Sequence, residues 1–302
     1  MGRKKRKIIL IMVLVLLLSV AGFIFSAYVS LHQTLNGILN ESALEKSEKR
    51  PQKVSLKNKD GFTVLLLGVD EREGDKGRSD TMMVMSVNGQ DHSLKVVSIP
   101  RDTRVNIAGK EKVDKINHAY AFGGVNMSAK TVEEFLDIPI DYYVKVNMDG
   151  FKDMVDAVDG ISVNNVFAFS YDGADFPTGN ITLNGEEALK YSRMRYEDPQ
   201  GDFGRQTRQR QIIQGILDKG ASIDSMWSYN DILSTLKKNI ETNMTIHEIK
   251  TIQKNDAVAS NNIKQEQITG TGKRINDIYY YLVPEEEKQR VSSIFKNHLN
   301  IN

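Results

Sequence analysis

A run of 24 residues without a charged side chain, from Ile8 to Leu31, constrains this chain more than any other feature. At about 1.5 Å per residue, a helix of that length exceeds the ~30 Å hydrocarbon core of a bilayer. Five consecutive cations, Arg3 to Lys7, precede the run and favour a cytoplasmic amino terminus. We therefore predict a cytoplasmic basic segment at 1–7, a single-pass signal-anchor at 8–31, and a type II topology with the rest of the chain extracellular.

Two other readings of this run are less favourable. A cleaved signal peptide usually has an apolar region of only about 7 to 15 residues and a small-x-small cleavage site. The sequence Phe25-Ser26-Ala27-Tyr28 fits such a site poorly. A buried core helix would place five adjacent cations against the core. An uncleaved membrane anchor is the reading that remains.

The composition excludes several classes of function. With 40 Lys and Arg against 39 Asp and Glu, the chain has no basic surplus that would indicate nucleic acid as a partner. It has no cysteine, which excludes disulfides, thiolate metal sites, cysteine nucleophiles and lipoprotein processing. The 26% charged and 40% hydrophobic residues are typical of a folded globular protein.

The chain after the span divides into three parts. Residues 32–60 are polar and charged, and we predict that they form an extracellular stalk. The main domain is predicted at 61–220. Beyond it, the pattern becomes polar and helix-rich, so residues 221–302 are expected to form a carboxy-terminal extension packed on the same domain.

Apolar runs alternate with helical patterns in the main domain. Strands are predicted at 62–69, 81–87, 94–99, 142–146 and 161–163, and helices at 125–136 and 149–158. The first strand, FTVLLLGV, is apolar enough to be a central one. Strands interleaved with helices predict an α/β fold with a central mixed β-sheet sandwiched between α-helices.

Although the chain as a whole has nearly equal numbers of positive and negative side chains, five arginines lie within 18 residues: Arg193, Arg195, Arg205, Arg208 and Arg210. A helix predicted from about Gly204 places Arg205, Arg208 and Gln209 on one face. Cations in a first helical turn oppose the helix dipole by about 0.3 to 1 kcal/mol each. A bound phosphate at the helix N-terminus would offset that cost. The alternative is a solvated face paired with neighbouring carboxylates.

Two aspartates, Asp70 and Asp80, flank a polar loop between the first two predicted strands. Such loops at strand ends are where ligands usually bind in α/β proteins. A pair of carboxylates suits Mg²⁺ held with waters and phosphate oxygens, and Arg78 beside them suits a metal that bridges to phosphate. A solvent loop with incidental charges is the alternative.

A third polar element follows the strand at 94–99. Pro100 ends this strand and leaves Arg101 at its tip, and Lys115, Asn117 and His118 add further donors. His118 alone is more typical of a structural histidine than of a catalytic one. The sequence has no Gly-x-Ser-x-Gly, His-Glu-x-x-His or Walker motif, so hydrolytic triads, zinc peptidases and nucleotide-driven pumps have no support.

These segments together resemble the LytR-CpsA-Psr (LCP) family, over about residues 60–220. The resemblance rests on four motifs in order: LLLGVDEREGDKGRSDT, VVSIPRDT, KINHAYAFGG and LNGEEALKYSRMRYEDPQGDFGRQTRQRQ. The short form with one anchor is most similar to the LytR-type teichoic acid transferases of Gram-positive bacteria. The family implies a hydrophobic tunnel for polyprenyl lipid, and makes 61–220 the catalytic domain.

The resemblance also implies an activity. It implies a phosphotransferase that uses Mg²⁺, with Mn²⁺ as the alternative, and lies at the cytoplasmic membrane. The donor would be wall teichoic acid or another anionic glycopolymer on undecaprenyl pyrophosphate, and the acceptor would be the C6 hydroxyl of peptidoglycan N-acetylmuramic acid. No nucleic acid partner is expected, because the arginine cluster would lie outside the cell.

Residue roles follow from the resemblance position by position. Arg78, Asp70 and Asp80 are the expected catalytic residues, with Asp70 and Asp80 as the metal ligands. The expected pyrophosphate ligands are Arg101, Arg193, Arg195, Arg205 and Gln209, followed by Arg208 and Lys115, whose individual roles are less defined.

Two other functions fit the same residues. A polyprenyl-pyrophosphate hydrolase would use water in place of the sugar hydroxyl. A non-catalytic lipid-phosphate-binding regulator of the cell envelope would use the arginines alone. Such a binder would not need Asp70 and Asp80 beside the arginines, since carboxylates weaken anion binding unless a cation lies between.

Overall fold

The computed structural model describes residues 44, 46–50, 52–71, 77–221, 239–256 and 262–301. The predicted basic segment, the predicted span and most of the first half of the predicted stalk lie outside these residues. Within the described part of the chain, no helix combines the length and the hydropathy needed to cross a bilayer.

Fourteen strands and six α-helices are described. The strands are β1 (Phe62–Val69), β2 (Ser79–Asn88), β3 (Ser93–Ser98), β4 (Arg104–Asn106), β5 (Val113–Lys115), β6 (Tyr142–Val146), β7 (Ile161–Asn165), β8 (Phe169–Tyr171), β9 (Ala174–Phe176), β10 (Gly179–Leu183), β11 (Ile240–Thr242), β12 (Ile263–Gln267), β13 (Thr271–Ile275) and β14 (Ile278–Leu282). The helices are α1 (His118–Leu136), α2 (Met148–Ala157), α3 (Gly185–Arg193), α4 (Asp202–Ala221), α5 (Ile246–Asp256) and α6 (Glu285–Leu299), and a 3₁₀ turn spans Leu56–Asn58.

A six-stranded mixed sheet forms the centre of the molecule, in the order β11-β6-β1-β2-β3-β12. Strand β1 runs parallel to β6 and antiparallel to β2, and β3 runs parallel to β12. The predicted mixed sheet with helices on both faces is confirmed. The apolar run of β1 explains its central place, because a strand covered on both faces needs apolar residues at odd and even positions alike.

The two faces of the sheet are packed differently. On one face, Leu65 and Leu67 of β1 belong to a core that contains Val132 of α1 and Phe295 of α6. On the other face, Val64 belongs to a cluster whose partners from α4 and α5 are only partly buried: Ile213, Leu217 and Ile252. Tight packing on one face therefore contrasts with incomplete packing on the other.

A third cluster lies beside the sheet. It joins Val155 of α2, Ile161 of β7, Tyr191 of α3 and Ile212 of α4. Helix α3 begins with a capping box, in which Asn184 accepts from the Glu187 N–H and the Glu187 side chain accepts from the Asn184 N–H. This cluster supports the segment that carries the arginines.

Described residues of the predicted stalk contact the folded domain. Leu44 packs against the core on the α1 and α6 face. Arg50 is 8% exposed and donates to the Gly61 carbonyl at 3.0 Å and to Asp141 at 2.9 Å. Burial raises the pKa of Asp141, and the Arg50 guanidinium opposes that rise. Loss of one partner in a buried pair typically costs about 3 to 5 kcal/mol.

The described residues of the region predicted as a helix-rich extension, 221–302, contribute two strands to the central sheet. Strand β11 forms one edge of the central sheet, and β12 forms the other. Strands β13 and β14 form a hairpin whose Tyr281 N–H donates to the Asp102 carbonyl at 2.9 Å. Strand β12 escaped prediction because its sequence, IKQEQ, has the charged composition of an exposed edge rather than an apolar alternation.

A buried histidine connects α6 to the hairpin of β2 and β3. His298 is 7% exposed, with Nδ1 2.7 Å from Ser86 Oγ and Nε2 2.8 Å from Ser93 Oγ. Its carbonyl accepts from Asn88 Nδ2 at 2.8 Å. Burial, reinforced by the nearby Lys95 charge, lowers the pKa of His298 to about 4. The carboxy-terminal helix is therefore held by a neutral imidazole.

We expect this histidine to make the fold acid-sensitive. The unfolded chain takes up a proton on His298 near pH 6.5, and the folded chain takes it up only near pH 4. The contribution is fully present above pH 6.5 and is lost as the pH falls toward 4, by about 3 kcal/mol in all. Chemical unfolding at several pH values measures it. The His298→Gln variant should show a shallower loss over this window, and an identical slope would contradict the assignment.

Candidate active site

A β-bulge directs Asp80 to the incompletely packed face of the sheet. Thr81 pairs with Gly68 and Ser79 pairs with Val69, so Asp80 is an extra residue in β2. In regular alternation Asp80 would face the same side as Met82, toward α1 and α6. The bulge changes this, and Asp80 lines the same cavity as Thr81 and as Asp70, which follows β1.

The cavity lies between the sheet and helices α2, α4 and α5, and has a volume of about 720 Å³. Its walls are largely apolar, formed by Phe62, Val64, Leu66, Met85, Val87, Leu94, Val144, Phe151, Ile213, Leu217 and Ile252, among others. Gly68 also lines the cavity, and a Cβ there would lie 2.9 Å from Thr81 Cβ. A side chain at this position would therefore clash with Thr81, which lines the same cavity.

Five charged or amide side chains are among those that line the cavity, and we call the part of the cavity that they line the mouth: Asp70, Asp80, Arg193, Arg205 and Gln209. Arg101 joins them by an ion pair, with Nη1 3.0 Å from Asp80 Oδ1. Burial lowers the pKa of Arg101, but the carboxylates of Asp80, Asp202 and Asp102 together outweigh burial and raise that pKa. Of the residues predicted from sequence, these six are brought together.

Arg205 is the most constrained cation of the mouth. Its Nη2 lies 2.8 Å from Asp202 Oδ1. Its Nε is buried without a hydrogen-bond partner in the described structure. Burial lowers the pKa of Arg205, and the neighbouring charges of Arg101 and Arg195 lower it further, against Asp202. A buried, unpartnered donor among like charges is stabilised by an anion, so the mouth is suited to phosphate oxygens.

Lys115 is connected to Arg101 through the Asp102 carboxylate. Its Nζ is 2.6 Å from Asp102 Oδ1, and Asp102 Oδ2 is 4.0 Å from Arg101 Nε. Asn117 is buried, and its N–H donates to the Arg101 carbonyl at 3.3 Å. Both residues therefore support Arg101. His118 pairs with Asp114 at 2.9 Å and does not line the cavity.

Arg208 has a structural position, in place of the pyrophosphate contact expected from the sequence. It is 3% exposed and pairs with the Asp198 carboxylate. Its Nε donates to the Tyr191 carbonyl at 2.9 Å, and Nη2 donates to the Met194 carbonyl. Because every nitrogen of its fork is directed to a protein acceptor, Arg208 joins α3, the loop after it and α4.

Two other predicted residues are exposed near the mouth. The Arg78 carbonyl accepts from the Asp70 N–H at 3.2 Å, which closes the base of the loop that joins β1 to β2. The Arg78 side chain is exposed, and residues 72–76 of this loop lie outside the described structure. Arg195 is exposed as well, with Nε 4.0 Å from Asp202 Oδ1. Neither side chain lines the cavity.

The donor set of the mouth fits a hard cation bound together with phosphate. Among the described residues, no group of three or more His, Cys, Asp or Glu side chains could hold a metal by itself. Asp70 and Asp80 both line the mouth. Mg²⁺ commonly uses one or two carboxylates, with waters and substrate phosphates completing its octahedron. Two aspartates beside an anion site match that pattern.

Sequence reasoning missed one buried arginine and the cavity walls. Arg210 donates to Ser98 Oγ and Gln265 Oε1 at 3.0 Å, and burial lowers its pKa. It ties α4 to β3 and β12, and its place in the arginine cluster gave no sign of this. The walls include Met148, Phe151 and Met154. The available sequence signal was the helical spacing of Phe151 and Met154 on one face of α2.

Comparisons with known proteins identify the family. Residues 25–297 match the LytR_cpsA_psr family. A relative from Bacillus subtilis (strain 168), named polyisoprenyl-teichoic acid–peptidoglycan teichoic acid transferase TagU, is 49% identical over 299 residues, 98% of this chain and 98% of the relative. A relative of the same name from Bacillus licheniformis is 48% identical over 303 residues, 99% of this chain and 98% of the relative.

Solved structures agree with this assignment. The crystal structure of B. subtilis TagU has a TM-score of 0.66 and 48% identity, covering 80% of this chain and 97% of that chain. TagT bound to LI-WTA has a TM-score of 0.73 and 32% identity, covering 87% and 99%. This chain belongs to the LytR_cpsA_psr family. The predicted resemblance is confirmed, and so is the prediction that the chain is an enzyme, since its relatives are named as transferases.

Arg205 and Arg208 of α4 should respond differently to substitution. We expect Arg208→Lys to lower the free energy of unfolding by about 2 to 4 kcal/mol, because lysine cannot replace a fork that reaches three acceptors. Arg205→Gln should change stability by less than about 1 kcal/mol and weaken binding of inorganic pyrophosphate by roughly tenfold or more. Thermal unfolding and titration calorimetry measure the two effects. A stable Arg208→Lys protein that has lost pyrophosphate affinity would restore the role first predicted for Arg208.

Proposed function

We propose that this enzyme transfers a teichoic acid from a polyprenyl pyrophosphate carrier to peptidoglycan. The observation that carries the proposal is the form of the cavity, which has apolar walls and a mouth of carboxylates and guanidiniums. The names of the relatives, which specify teichoic acid, polyisoprenyl and peptidoglycan, support the choice of substrates. We infer that the reaction takes place on the outer face of the cytoplasmic membrane, where the predicted anchor would hold the domain.

The donor matches the cavity in polarity. A polyprenyl pyrophosphate carries an apolar chain on one end of a diphosphate, and we place that chain against the Val64, Leu66 and Val144 side of the cavity. Burial of apolar area contributes about 25 cal/mol per Å². The diphosphate then lies at the mouth, where Arg193, Arg205 and Gln209 are within the same lining. Undecaprenyl is the chain that the family resemblance implies.

The reaction needs positioning and charge stabilisation more than covalent chemistry. In the proposed step, the C6 hydroxyl oxygen of N-acetylmuramic acid attacks the phosphorus that carries the glycopolymer. The bond from that phosphorus to the bridging oxygen breaks, and polyprenyl phosphate departs with the electron pair. Arg101 and Arg205 stabilise the charge that grows on the departing phosphate. The product is a phosphodiester between glycopolymer and peptidoglycan.

The two aspartates share one task in this proposal, and Asp70 has a second. Asp80, held by Arg101 at 3.0 Å, and Asp70 would hold Mg²⁺, which when bound neutralises and polarises the phosphate oxygens. Asp70 is also our choice for the general base that accepts the hydroxyl proton. Arg78 follows the loop that Asp70 begins, and its exposed guanidinium is available to the glycopolymer phosphate.

A transfer assay tests the proposal. The full-length chain in detergent micelles is incubated with a lipid-pyrophosphate-linked saccharide, peptidoglycan oligomers and Mg²⁺, and the products are analysed by mass spectrometry. We expect a saccharide-phosphate-muramic acid adduct that is abolished by EDTA. Asp80→Asn and Arg78→Ala should each lower turnover by on the order of 10²-fold or more. The first weakens the binding of Mg²⁺, and the second removes a cation that would stabilise the charge on the phosphate.

The matched control is Arg274→Ala, which removes an exposed arginine of strand β13, remote in sequence from the mouth. It should leave turnover unchanged. Release of polyprenyl phosphate without an adduct would favour the hydrolase. A donor that binds and stays intact would favour the non-catalytic regulator.

A further inference from the structure

One aromatic side chain near the mouth is almost wholly exposed. Tyr196 retains 92% of its accessible surface, more than any other large apolar residue described. Its only described ring contact is with its neighbour Arg195, whose guanidinium carbon lies 5.9 Å from the ring centroid. Single exposed apolar side chains are common on protein surfaces. What distinguishes Tyr196 is its position next to Arg195, which approaches the charged residues of the mouth, and an amphipathic tyrosine ring there is suited to stack on a ligand.

The backbone that carries Tyr196 is held firmly. The Arg208 guanidinium binds the carbonyl of Met194 and the carboxylate of Asp198, on either side of the exposed arc 195–197. The Asp198 N–H donates to the Arg195 carbonyl at 3.3 Å, which closes the arc as a turn. Met194 is only 1% exposed. The buried clamp thus presents Tyr196 on a short turn with fixed ends.

The arc adjoins the groups expected to bind pyrophosphate. Arg195 Nε lies 4.0 Å from Asp202 Oδ1, and the same oxygen is 2.8 Å from Arg205 Nη2. Arg205 lines the mouth. Tyr196 is therefore connected to Arg205 of the mouth through its neighbour Arg195 and the Asp202 carboxylate. A substrate that reacts at the mouth would extend over Tyr196.

We propose that Tyr196 forms a subsite for the acceptor, the amino sugar strand of peptidoglycan. This inference rests on the proposed function and adds a site for its second substrate. The apolar C–H face of a pyranose ring can stack on the tyrosine, while its rim of hydroxyls meets polar side chains. Glu197 and Gln200, both exposed, supply such side chains. A lipid or a protein partner would instead require a contiguous apolar patch, and an isolated ring among polar residues does not form one.

Steady-state kinetics of the full-length enzyme tests this subsite. Soluble peptidoglycan oligomers are varied at saturating lipid-linked donor. Tyr196→Ala should raise KM for the oligomers about tenfold, as expected for loss of one aromatic contact, with kcat within about twofold. Tyr196→Phe and Tyr196→Trp, which keep the ring, should retain KM within about twofold. The matched control is Tyr279→Ala, which removes a 44% exposed tyrosine from the β14 hairpin and should change neither constant.

A second measurement separates failure of the subsite from failure of the proposed function. Saturation-transfer NMR records binding of an N-acetylglucosamine and N-acetylmuramic acid tetrasaccharide whether or not transfer occurs. The proposal expects the signal to be lost in Tyr196→Ala and kept in Tyr279→Ala. Equal binding by the wild type and Tyr196→Ala would overturn it. A rise in donor KM at unchanged acceptor KM would also overturn it, by assigning the ring to the sugars of the donor.

Discussion

One face of the central sheet is left incompletely filled, and the arrangement of the site depends on that gap. Side chains of β1 that face α1 and α6 reach full burial, while those that face α4 and α5 line a cavity of about 720 Å³. The bulge at Asp80 brings its carboxylate to the lining of this cavity, which also includes Asp70 and the bare backbone of Gly68. A cavity with apolar walls and a charged mouth is complementary to an amphiphilic ligand, which has an apolar part for the walls and a charged part for the mouth.

Two arginines three positions apart on α4 show how the fold divides one motif between chemistry and structure. Arg205 faces the mouth, where its Nε is buried without a partner. Arg208 is turned to carbonyls of α3 and the loop after it, and to Asp198. Helical spacing places both on one face, and only the arrival of α3 beside α4 distinguishes them. Arg208 is therefore as necessary for the geometry of the mouth as Arg205 is for its charge.

Local patterns predicted the elements whose residues carry strong signals. The bounds of β1 match the apolar run 62–69, and α2 lies within one residue of the predicted 149–158. Helix α1 begins earlier than the predicted residue 125, because a break at Gly123 and Gly124 interrupts its periodicity. The charged edge strand β12 and the docking of Arg50 were missed, since both depend on partners distant in sequence. The motifs indicated the charges of the mouth but not the bulge at Asp80, because the bulge follows from the pairing register of β1 and β2 rather than from residue type.

The central claim is that the cavity and its mouth together bind one polyprenyl pyrophosphate. A crystal structure of the protein soaked with a short-chain prenyl pyrophosphate and Mg²⁺ tests this most directly. The account predicts density for the prenyl chain between β1 and α4, with the diphosphate within hydrogen-bond distance of Arg205 and Arg193. It predicts the cation between the phosphate oxygens and Asp70 or Asp80. A diphosphate bound elsewhere on the surface, with the cavity unoccupied by the prenyl chain, would contradict it.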